Sequence, residues 1–245
     1  MKIGLLAAGI TPDTLLPSFG SYAGMFVTLL TKQNTAFEFE TFNVRNDVFP
    51  NSVLQCDAWL ITGSRSNVYE REPWMLKLNE WIRKIDENKQ PLVGICFGHQ
   101  IIADALGGEV AKFHGGWGVG IHQYDVVQGV ASLPEHLTSF SICAMHQDQV
   151  VTKPPRAKVF AHSDFCQHAG LVYGEHILTL QGHPEFSKAY ETVLIESLGK
   201  SGSFSAEIAE QGRQSVAQTT LDSFEVAAWV ARFIESAHRA RSVAA

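Results

Sequence analysis

The sequence has no apolar run close to the roughly 18 residues that a transmembrane helix requires, which excludes a helical membrane span. It also lacks a dense basic patch, because 25 acidic residues outnumber 19 lysines and arginines and give a net charge of −6. Such a balance argues against nucleic acid or an anionic membrane surface as the partner. The chain therefore points to small-molecule or protein partners.

Cysteine is scarce and shows no C-x-x-C spacing. In a chain of this size without a secretion signal, free thiols are expected rather than disulfides. The apolar stretch after Met1 is short and strand-like, unlike a signal peptide, so we expect a cytoplasmic location. The four cysteines are Cys56, Cys96, Cys143 and Cys166.

Metal and nucleotide motifs are also missing. The glycine-rich stretch Gly115–Gly120 lacks a following Lys-Ser/Thr pair and helix, so we predict a tight turn with Trp117 at its rim rather than a phosphate loop. No H-E-x-x-H or compact Cys/His cluster is present, and we expect neither a metal nor a cofactor. The histidines that lie mostly on different predicted elements are His114, His122, His136, His146, His162, His168, His176 and His183.

What is present is enough for one large α/β domain. The chain has 245 residues, 45% of them hydrophobic, which permits a substantial core. In the first hundred residues, strands and helices alternate in the order typical of a parallel sheet. We predict an open, mostly parallel, doubly wound sheet flanked by helices. The predicted strands are Ile3–Ala7, Phe37–Val44 (an edge strand), Ala58–Thr62 and Leu92–Ile95, and the helices are Ser21–Lys32 and one beginning at Pro73.

The pattern changes after Gly107. Residues 107–172 are rich in short β segments and predict an additional small β-rich section, and Ser187–Leu198 predicts a helix. Residues 200–220 are polar and small, which predicts a connector with at most a helical turn. Phe224–Arg239 then predicts a helix packed on the same domain. We divide the chain into a domain over residues 1–199 and a connector plus C-terminal helix over residues 200–245.

A strand-to-helix corner at Cys96 is the strongest chemical signal. The apolar run Pro91–Val93 precedes it and the helix-like run Gln100–Leu106 follows it. Gly94 and Gly98, two residues before and after the cysteine, leave room for a sharp bend that exposes a nucleophile. The amino end of the following helix stabilises negative charge there. Because most isolated cysteines are inert core residues, this signal needs a second one.

The second signal follows the predicted strand Ile177–Leu180. Pro184 biases His183 towards extended geometry, so the side chains of His183 and Glu185 point to the same side. The carboxylate can then orient the imidazole, whose other nitrogen accepts the thiol proton. An elbow cysteine combined with a His-x-Glu at a strand end predicts nucleophilic thiol catalysis.

Three motifs together resemble the class I, or triad-type, glutamine amidotransferases. They are Gly94–Gln100, Gly182–Glu185 and Ile61–Ser64, and the likeness extends over most of the chain. The resemblance implies that Cys96 and the His-x-Glu pair form a Cys-His-Glu triad. Such a triad cuts the side-chain amide of glutamine through a γ-glutamyl thioester and releases ammonia.

The resemblance also implies the surrounding site. The N–H of Phe97 is one oxyanion-hole donor, as expected for the residue after an elbow nucleophile, and the family match makes the N–H of Gly63 the second. His146 is not the expected base, because no Pro-Glu pair follows it to orient the ring. The substrate-binding residues implied by the resemblance are Gln100, Met145, Gln147 and Asp148.

Three interpretations of the function remain open at this point. The first is glutamine hydrolysis, with an unknown ammonia acceptor and a separate synthetase as a possible partner, since the chain resembles the amidotransferase part of GMP synthase and its free-standing relatives. The second is a free-standing γ-glutamyl peptide hydrolase that uses the same thiol chemistry. The third, favoured least because no triad member is missing, is a non-catalytic binding protein.

Overall fold

The computed structural model describes residues 1–129 and 137–244. Its strands are β1 (Lys2–Leu6), β2 (Glu38–Phe42), β3 (Ala58–Ile61), β4 (Leu92–Ile95), β5 (Glu109–Lys112), β6 (Gly118–Val126), β7 (Ser139–His146), β8 (Asp148–Thr152), β9 (Ala157–His162), β10 (Gly170–Tyr173) and β11 (Ile177–Leu180). Its helices are α1 (Leu16–Phe19), α2 (Tyr22–Thr31), α3 (Pro73–Glu87), α4 (Phe97–Ala105), α5 (Lys188–Lys200), α6 (Ala206–Gln218) and α7 (Ser223–Ala244), with short 3₁₀ turns at Val44–Asn46 and Val68–Glu70.

A twisted central sheet organises the described residues. Its strand order is β2-β1-β3-β4-β11-β10-β9-β6-β7, and the pairs from β2 to β11 are parallel while the rest are antiparallel. A second sheet pairs β5 with β8. The predicted α/β class is confirmed, including the small additional β section. Because β3, β4 and β11 are parallel neighbours, the segments that follow them meet at one edge of the sheet.

Helices cover both faces of the parallel strands. Strands β3, β4 and β11 are buried at every position, and their apolar side chains point alternately to two layers. One layer packs against α2 and α7, and includes Phe26 and Trp229. The other packs against α3 and α4, and includes Leu78 and Ile101. This sandwich fixes the corner between β4 and α4.

The local signals read from the sequence correspond to the observed element ends. Ser21 caps α2, since its Oγ accepts a hydrogen bond from the N–H of Gly24 at 3.0 Å, and Pro73 occupies the first turn of α3. Strand β2 lies at the sheet edge, as the alternation of residues 37–44 predicts. The four cysteines are free. Among the described helices, none has the length and apolarity needed to cross a bilayer.

The sequence analysis is wrong about residues 200–220, which form a helix rather than a connector. Helix α6 begins after Ser205, whose Oγ accepts from the N–H of Ile208 at 3.3 Å. It packs across β6, where Ser215 Oγ accepts from the N–H of Ile121 at 2.9 Å. The buried positions of α6 are the small residues Ala209 and Gly212 and, one turn on, Val216. Their small size hides the helical periodicity in the sequence.

Strand β8 and helix α7 complete the comparison of predicted and observed elements. Strand β8, which the sequence analysis did not identify, pairs with β5 in the second sheet. Helix α7 buries the predicted stripe that includes Val226 and Ile234. Its Trp229 ring lies 5.0 Å from that of Phe160. The helix therefore packs on the same domain, whereas the domain boundary at residue 199 remains a prediction.

Candidate active site

Cys96 lies at the corner between β4 and α4 in a strained backbone conformation. Its φ is 52° and its ψ is −104°, in a region that non-glycine residues rarely adopt. The strain is held by the N–H of Cys96, which donates to Leu180 O of β11 at 2.8 Å. A β-carbon on Gly94 would lie 2.6 Å from the carbonyl oxygen of Gly98, so both glycines are needed for the bend. The predicted sharp corner between strand and helix is present.

His183 lies just beyond β11 and beside β7. Its N–H donates to Cys143 O at 2.7 Å, which fixes the backbone in an isolated antiparallel bridge. Its Nδ1 is 2.7 Å from Oε1 of Glu185, and both side chains are buried. The imidazole stacks on the Phe186 ring with centroids 4.0 Å apart and planes only 4° from parallel. The ring is therefore held by a carboxylate on one edge and an aromatic ring on one face.

The electrostatics of His183 depend on two neighbours. Burial by itself lowers the pKa of His183, but the negative charges and hydrogen bonds of Glu185 and Cys96 outweigh it and raise the pKa well above the usual value. The Cys96 side chain and the imidazole are therefore neighbours, and both lie beside Gly63. The order sulfur, imidazole, carboxylate suits proton transfer away from a nucleophilic sulfur.

The backbone N–H groups of Gly63 and Phe97 flank the same point. A β-carbon on Gly63 would lie 2.9 Å from His183 Cε1 and 3.7 Å from Cys96 Cβ. Within the described residues, neither N–H donates to a protein acceptor. Two unpaired donors beside a sulfur are the elements of an anion-binding site.

A cavity of about 340 Å³ opens above Cys96 and His183. Its volume falls in the range of small-ligand sites. Its walls come from the loop after β3, the start of α4, the turn between β7 and β8, and helix α5. The four predicted substrate-binding residues, Gln100, Met145, Gln147 and Asp148, all line it.

Gln100 and Asp148 are tied together in the cavity wall. Gln100 Nε2 donates to Asp148 O at 2.8 Å and to Gln181 Oε1 at 3.1 Å. The Asp148 carboxyl accepts from Tyr69 Oη at 3.2 Å, and burial raises its pKa above the ordinary value. The Gln100 amide nitrogen is therefore engaged with the protein, and Asp148 and Tyr69 both line the cavity.

His146 also lines the cavity, but in a different environment. Its Nδ1 lies 3.2 Å from Asp148 O, and burial, with smaller effects of nearby histidines, lowers its pKa to about 3. In the part of the chain that the structure describes, no carboxylate oxygen forms a hydrogen bond with this ring. Within residues 1–129 and 137–244, no group of three or more His, Cys, Asp or Glu side chains is arranged to hold a metal ion. His136 lies outside these residues.

The cavity contains side chains that the sequence analysis did not single out. Arg65 directly follows the Ile61–Ser64 motif, and that position is the one signal that could have identified it. Lys112 and Tyr69 come from elements without any motif. Trp117 lines the cavity beside the predicted turn, in which Gly116 has a φ of 92°.

Comparisons with known proteins agree on one family. The family model for "Glutamine amidotransferase class-I" matches residues 22–197. Gamma-glutamyl peptidase 2 of Arabidopsis thaliana is 30% identical over 84% of this chain and 85% of its own length. A glutamine-hydrolysing GMP synthase of Thermotoga sp. (strain RQ2) is 29% identical over 70% of this chain, but over only 32% of its own length.

The fold is shared with solved structures of low sequence identity. A glutamine amidotransferase from Thermotoga maritima superposes with a TM-score of 0.73 at 18% identity, covering 96% of this chain and 97% of that chain. At this identity, the likeness shows the fold alone.

Proposed function

Because the chain belongs to the class I glutamine amidotransferase family, we propose that it hydrolyses the γ-amide of a glutamyl substrate through a thioester on Cys96. One observation carries the proposal: the strained elbow cysteine and His183 line the same ligand-sized cavity, where Nδ1 of His183 lies 2.7 Å from Glu185 Oε1. In this proposal Cys96, His183 and Glu185 form the catalytic triad.

The first half of the reaction forms the thioester. His183 takes the thiol proton, and Cys96 Sγ attacks the γ-carbonyl carbon of the substrate. The N–H groups of Gly63 and Phe97 bind the oxyanion, which is consistent with their lack of protein acceptors in the described residues. The C–N bond then breaks, and His183 returns its proton to the departing nitrogen.

The second half releases glutamate. His183 removes a proton from a water molecule, whose oxygen attacks the thioester carbon. The C–S bond breaks, the sulfur regains a proton from His183, and glutamate leaves. Glu185 keeps Nδ1 of His183 protonated throughout and stabilises the imidazolium. Neither half requires a cofactor.

The wall that contains Asp148 suits the amino-acid end of the substrate. Asp148 lines the cavity, and its carboxyl is the group that we propose binds the α-ammonium. Met145 and Gln147 line the same wall. Gln100, whose Nε2 is bound to Asp148 O, holds this wall in place rather than contacting the ammonium through that nitrogen.

Two substrates fit this chemistry. Glutamine is supported by the family model and by the GMP synthase likeness; with it, the released ammonia would pass to a separate synthetase partner. A γ-glutamyl peptide is supported by the Arabidopsis gamma-glutamyl peptidase, which matches almost end to end. Four free thiols fit a reducing compartment, and we propose a cytoplasmic location.

A direct assay tests the proposal. The purified chain is incubated with glutamine and with γ-glutamyl dipeptides, and release of ammonia, free amino acid and glutamate is quantified. We expect turnover of at least one substrate, and a loss of roughly 10⁴-fold or more in kcat for Cys96→Ser. Cys56→Ser is a matched control, because Cys56 is buried in the layer that packs against α3 and α4 and does not line the cavity. Retained turnover in Cys96→Ser would contradict the proposed nucleophile.

A further inference from the structure

The charged side chains around the cavity are not balanced. Apart from the Cys96–His183 pair, the cavity is lined by two cations, Arg65 and Lys112, and by one carboxylate, that of Asp148. Within residues 1–129 and 137–244, neither cation forms an ion pair. A bound molecule that matches this arrangement carries one positive and two negative groups.

Lys112 and Asp148 lie on the same wall. They are direct partners in the antiparallel pairing of β5 with β8, and opposite residues of such a pair have β-carbons about 5 Å apart. A glutamyl group carries its α-ammonium and α-carboxylate on one carbon. Asp148 and Lys112 therefore suit these two neighbouring charges.

Arg65 lines the cavity from the loop after β3, the loop that reaches the imidazole. It is two residues beyond Gly63, which contacts His183. Its charge acts on Tyr22, where it opposes the increase in pKa that burial causes. The Tyr22 ring lies 5.7 Å from the ring of Phe186, which in turn stacks on His183. The nitrogen that leaves must lie next to His183, because His183 supplies its proton.

We propose that Arg65 binds a carboxylate on the leaving group, so that the preferred substrates are γ-glutamyl amino acids with a free carboxylate. This inference rests on the proposed hydrolysis of γ-glutamyl amides. A γ-glutamyl amino acid carries one ammonium and two carboxylates, which pair with Asp148, Lys112 and Arg65. Glutamine carries one of each charge and loses only ammonia, which leaves Arg65 without a partner. Arg65 thus selects the dipeptide over glutamine.

A pair of substrates isolates this contact. γ-Glutamyl-alanine and its C-terminal amide differ only in the second carboxylate. For the unmodified enzyme we expect kcat/KM about tenfold higher for the acid, mainly through KM, because a charge-assisted, bidentate contact contributes on this order. In Arg65→Gln the preference should disappear, because kcat/KM for the acid falls to the value for the amide, and Arg65→Lys should restore part of it.

Two further variants test whether the preference for the acid depends on where the cation lies. Lys112→Gln should lower kcat/KM for the acid and the amide by the same factor, since both substrates keep the α-carboxylate. Lys32→Gln removes an exposed cation that does not line the cavity, and it should change neither substrate. The inference would be overturned if Arg65→Gln preferred the acid over the amide as strongly as the unmodified enzyme does. It would also be overturned if Lys112→Gln lost this preference while Arg65→Gln kept it.

Binding to Cys96→Ala separates this inference from the proposed function. Calorimetry with both substrates measures the preference for the acid without turnover. One outcome is that the unmodified enzyme is inactive, that Cys96→Ala binds the acid more tightly than the amide, and that adding Arg65→Gln to Cys96→Ala removes this difference. In that case the hydrolytic proposal fails and the Arg65 contact stands. If turnover occurs with equal rates for acid and amide, the Arg65 contact fails alone. If neither substrate binds, both fail.

Discussion

Two neighbouring segments, residues 143–148 and 181–186, each bring a buried histidine to the same cavity. They are joined where the N–H of His183 donates to Cys143 O. In the first segment the His146 ring contacts a backbone carbonyl, and burial lowers its pKa to about 3. In the second, Glu185 and Cys96 overcome a similar burial and raise the pKa of His183 well above its usual value.

The difference shows that burial alone does not decide the pKa of a histidine. Both rings are almost inaccessible to solvent, and desolvation is the largest single influence on the pKa of each. Each ring has a carboxyl group two residues further along the chain. The carboxyl of Glu185 contacts the His183 ring, whereas the carboxyl of Asp148 accepts a hydrogen bond from Tyr69 and the His146 ring contacts only the backbone oxygen of Asp148. The direction in which the carboxyl points, rather than its spacing, therefore distinguishes the two histidines.

The largest effect expected from this comparison is on the two histidines themselves. His183→Gln should lower kcat by roughly 10⁴-fold, because the proton acceptor and donor is lost. His146→Gln should lower it by less than about tenfold, because a neutral ring that only contacts a carbonyl is replaced by a neutral amide. Steady-state kinetics on both variants measures the contrast. Losses of equal size would contradict the assignment of the base.

Removal of the Glu185 carboxylate should make the pKa of His183 more like that of His146. In Glu185→Gln, burial is no longer opposed by this charge, so the pKa of His183 falls. We expect a loss of about 10²- to 10³-fold in kcat. The basic limb of the pH profile of kcat/KM should move to lower pH, because the protonated imidazole is lost sooner as pH rises. An unchanged profile would show that Glu185 does not control the ring.

A smaller loss of activity is expected from a change at Gly63, in the loop after β3 and beside His183. Gly63→Ala would place a β-carbon 2.9 Å from Cε1 of His183, so either the ring or the loop N–H must shift. We expect about a 10²-fold loss in kcat, comparable to the loss of one oxyanion donor. The melting temperature should change little, because the change is confined to the cavity. A fully active Gly63→Ala variant would remove Gly63 from the site.

The smallest effect is expected for a second buried carboxyl group, that of Glu191. Glu191 is fully buried, its Oε1 accepts from the N–H of Gly120 at 3.0 Å, and burial raises its pKa to about 8. Because the pKa of Glu191 is higher in the folded than in the unfolded chain, the protonated carboxyl stabilises the folded state. This stabilisation is complete below the pKa of the unfolded chain and is lost as pH rises towards 8. The free energy of unfolding should therefore fall between pH 6 and pH 8, by about 2 kcal/mol more than in Glu191→Gln.

Denaturant titration at several pH values measures the effect of Glu191. Glu196→Gln, an exposed carboxyl on the same helix, should keep the pH dependence of the unmodified protein. A Glu191→Gln variant with the same pH dependence would show that Glu191 is not protonated in the folded state.

The fold class and the corner at Cys96 could be predicted because their signals are local. Gly94, Gly98 and the apolar strand before them are neighbours in the chain, and the spacing of His183 and Glu185 is two residues. Helix α6 was missed because its buried face consists mainly of small residues, whose burial depends on β6 across the interface. Strand β8 was missed because its pairing with β5 spans a long separation in sequence.

Sequence alone determined the elbow at Cys96, the His-x-Glu pair and the sheet that brings their strand ends together, since each depends on residues close in the chain or on regular strand order. Tertiary structure alone decided the walls of the cavity. The stacking of Phe186 on His183, the pairing of Lys112 with Asp148 and the position of Arg65 near Tyr22 depend on how separate elements pack. Distances between such elements are fixed by the packing of the whole core, and no short stretch of sequence encodes them.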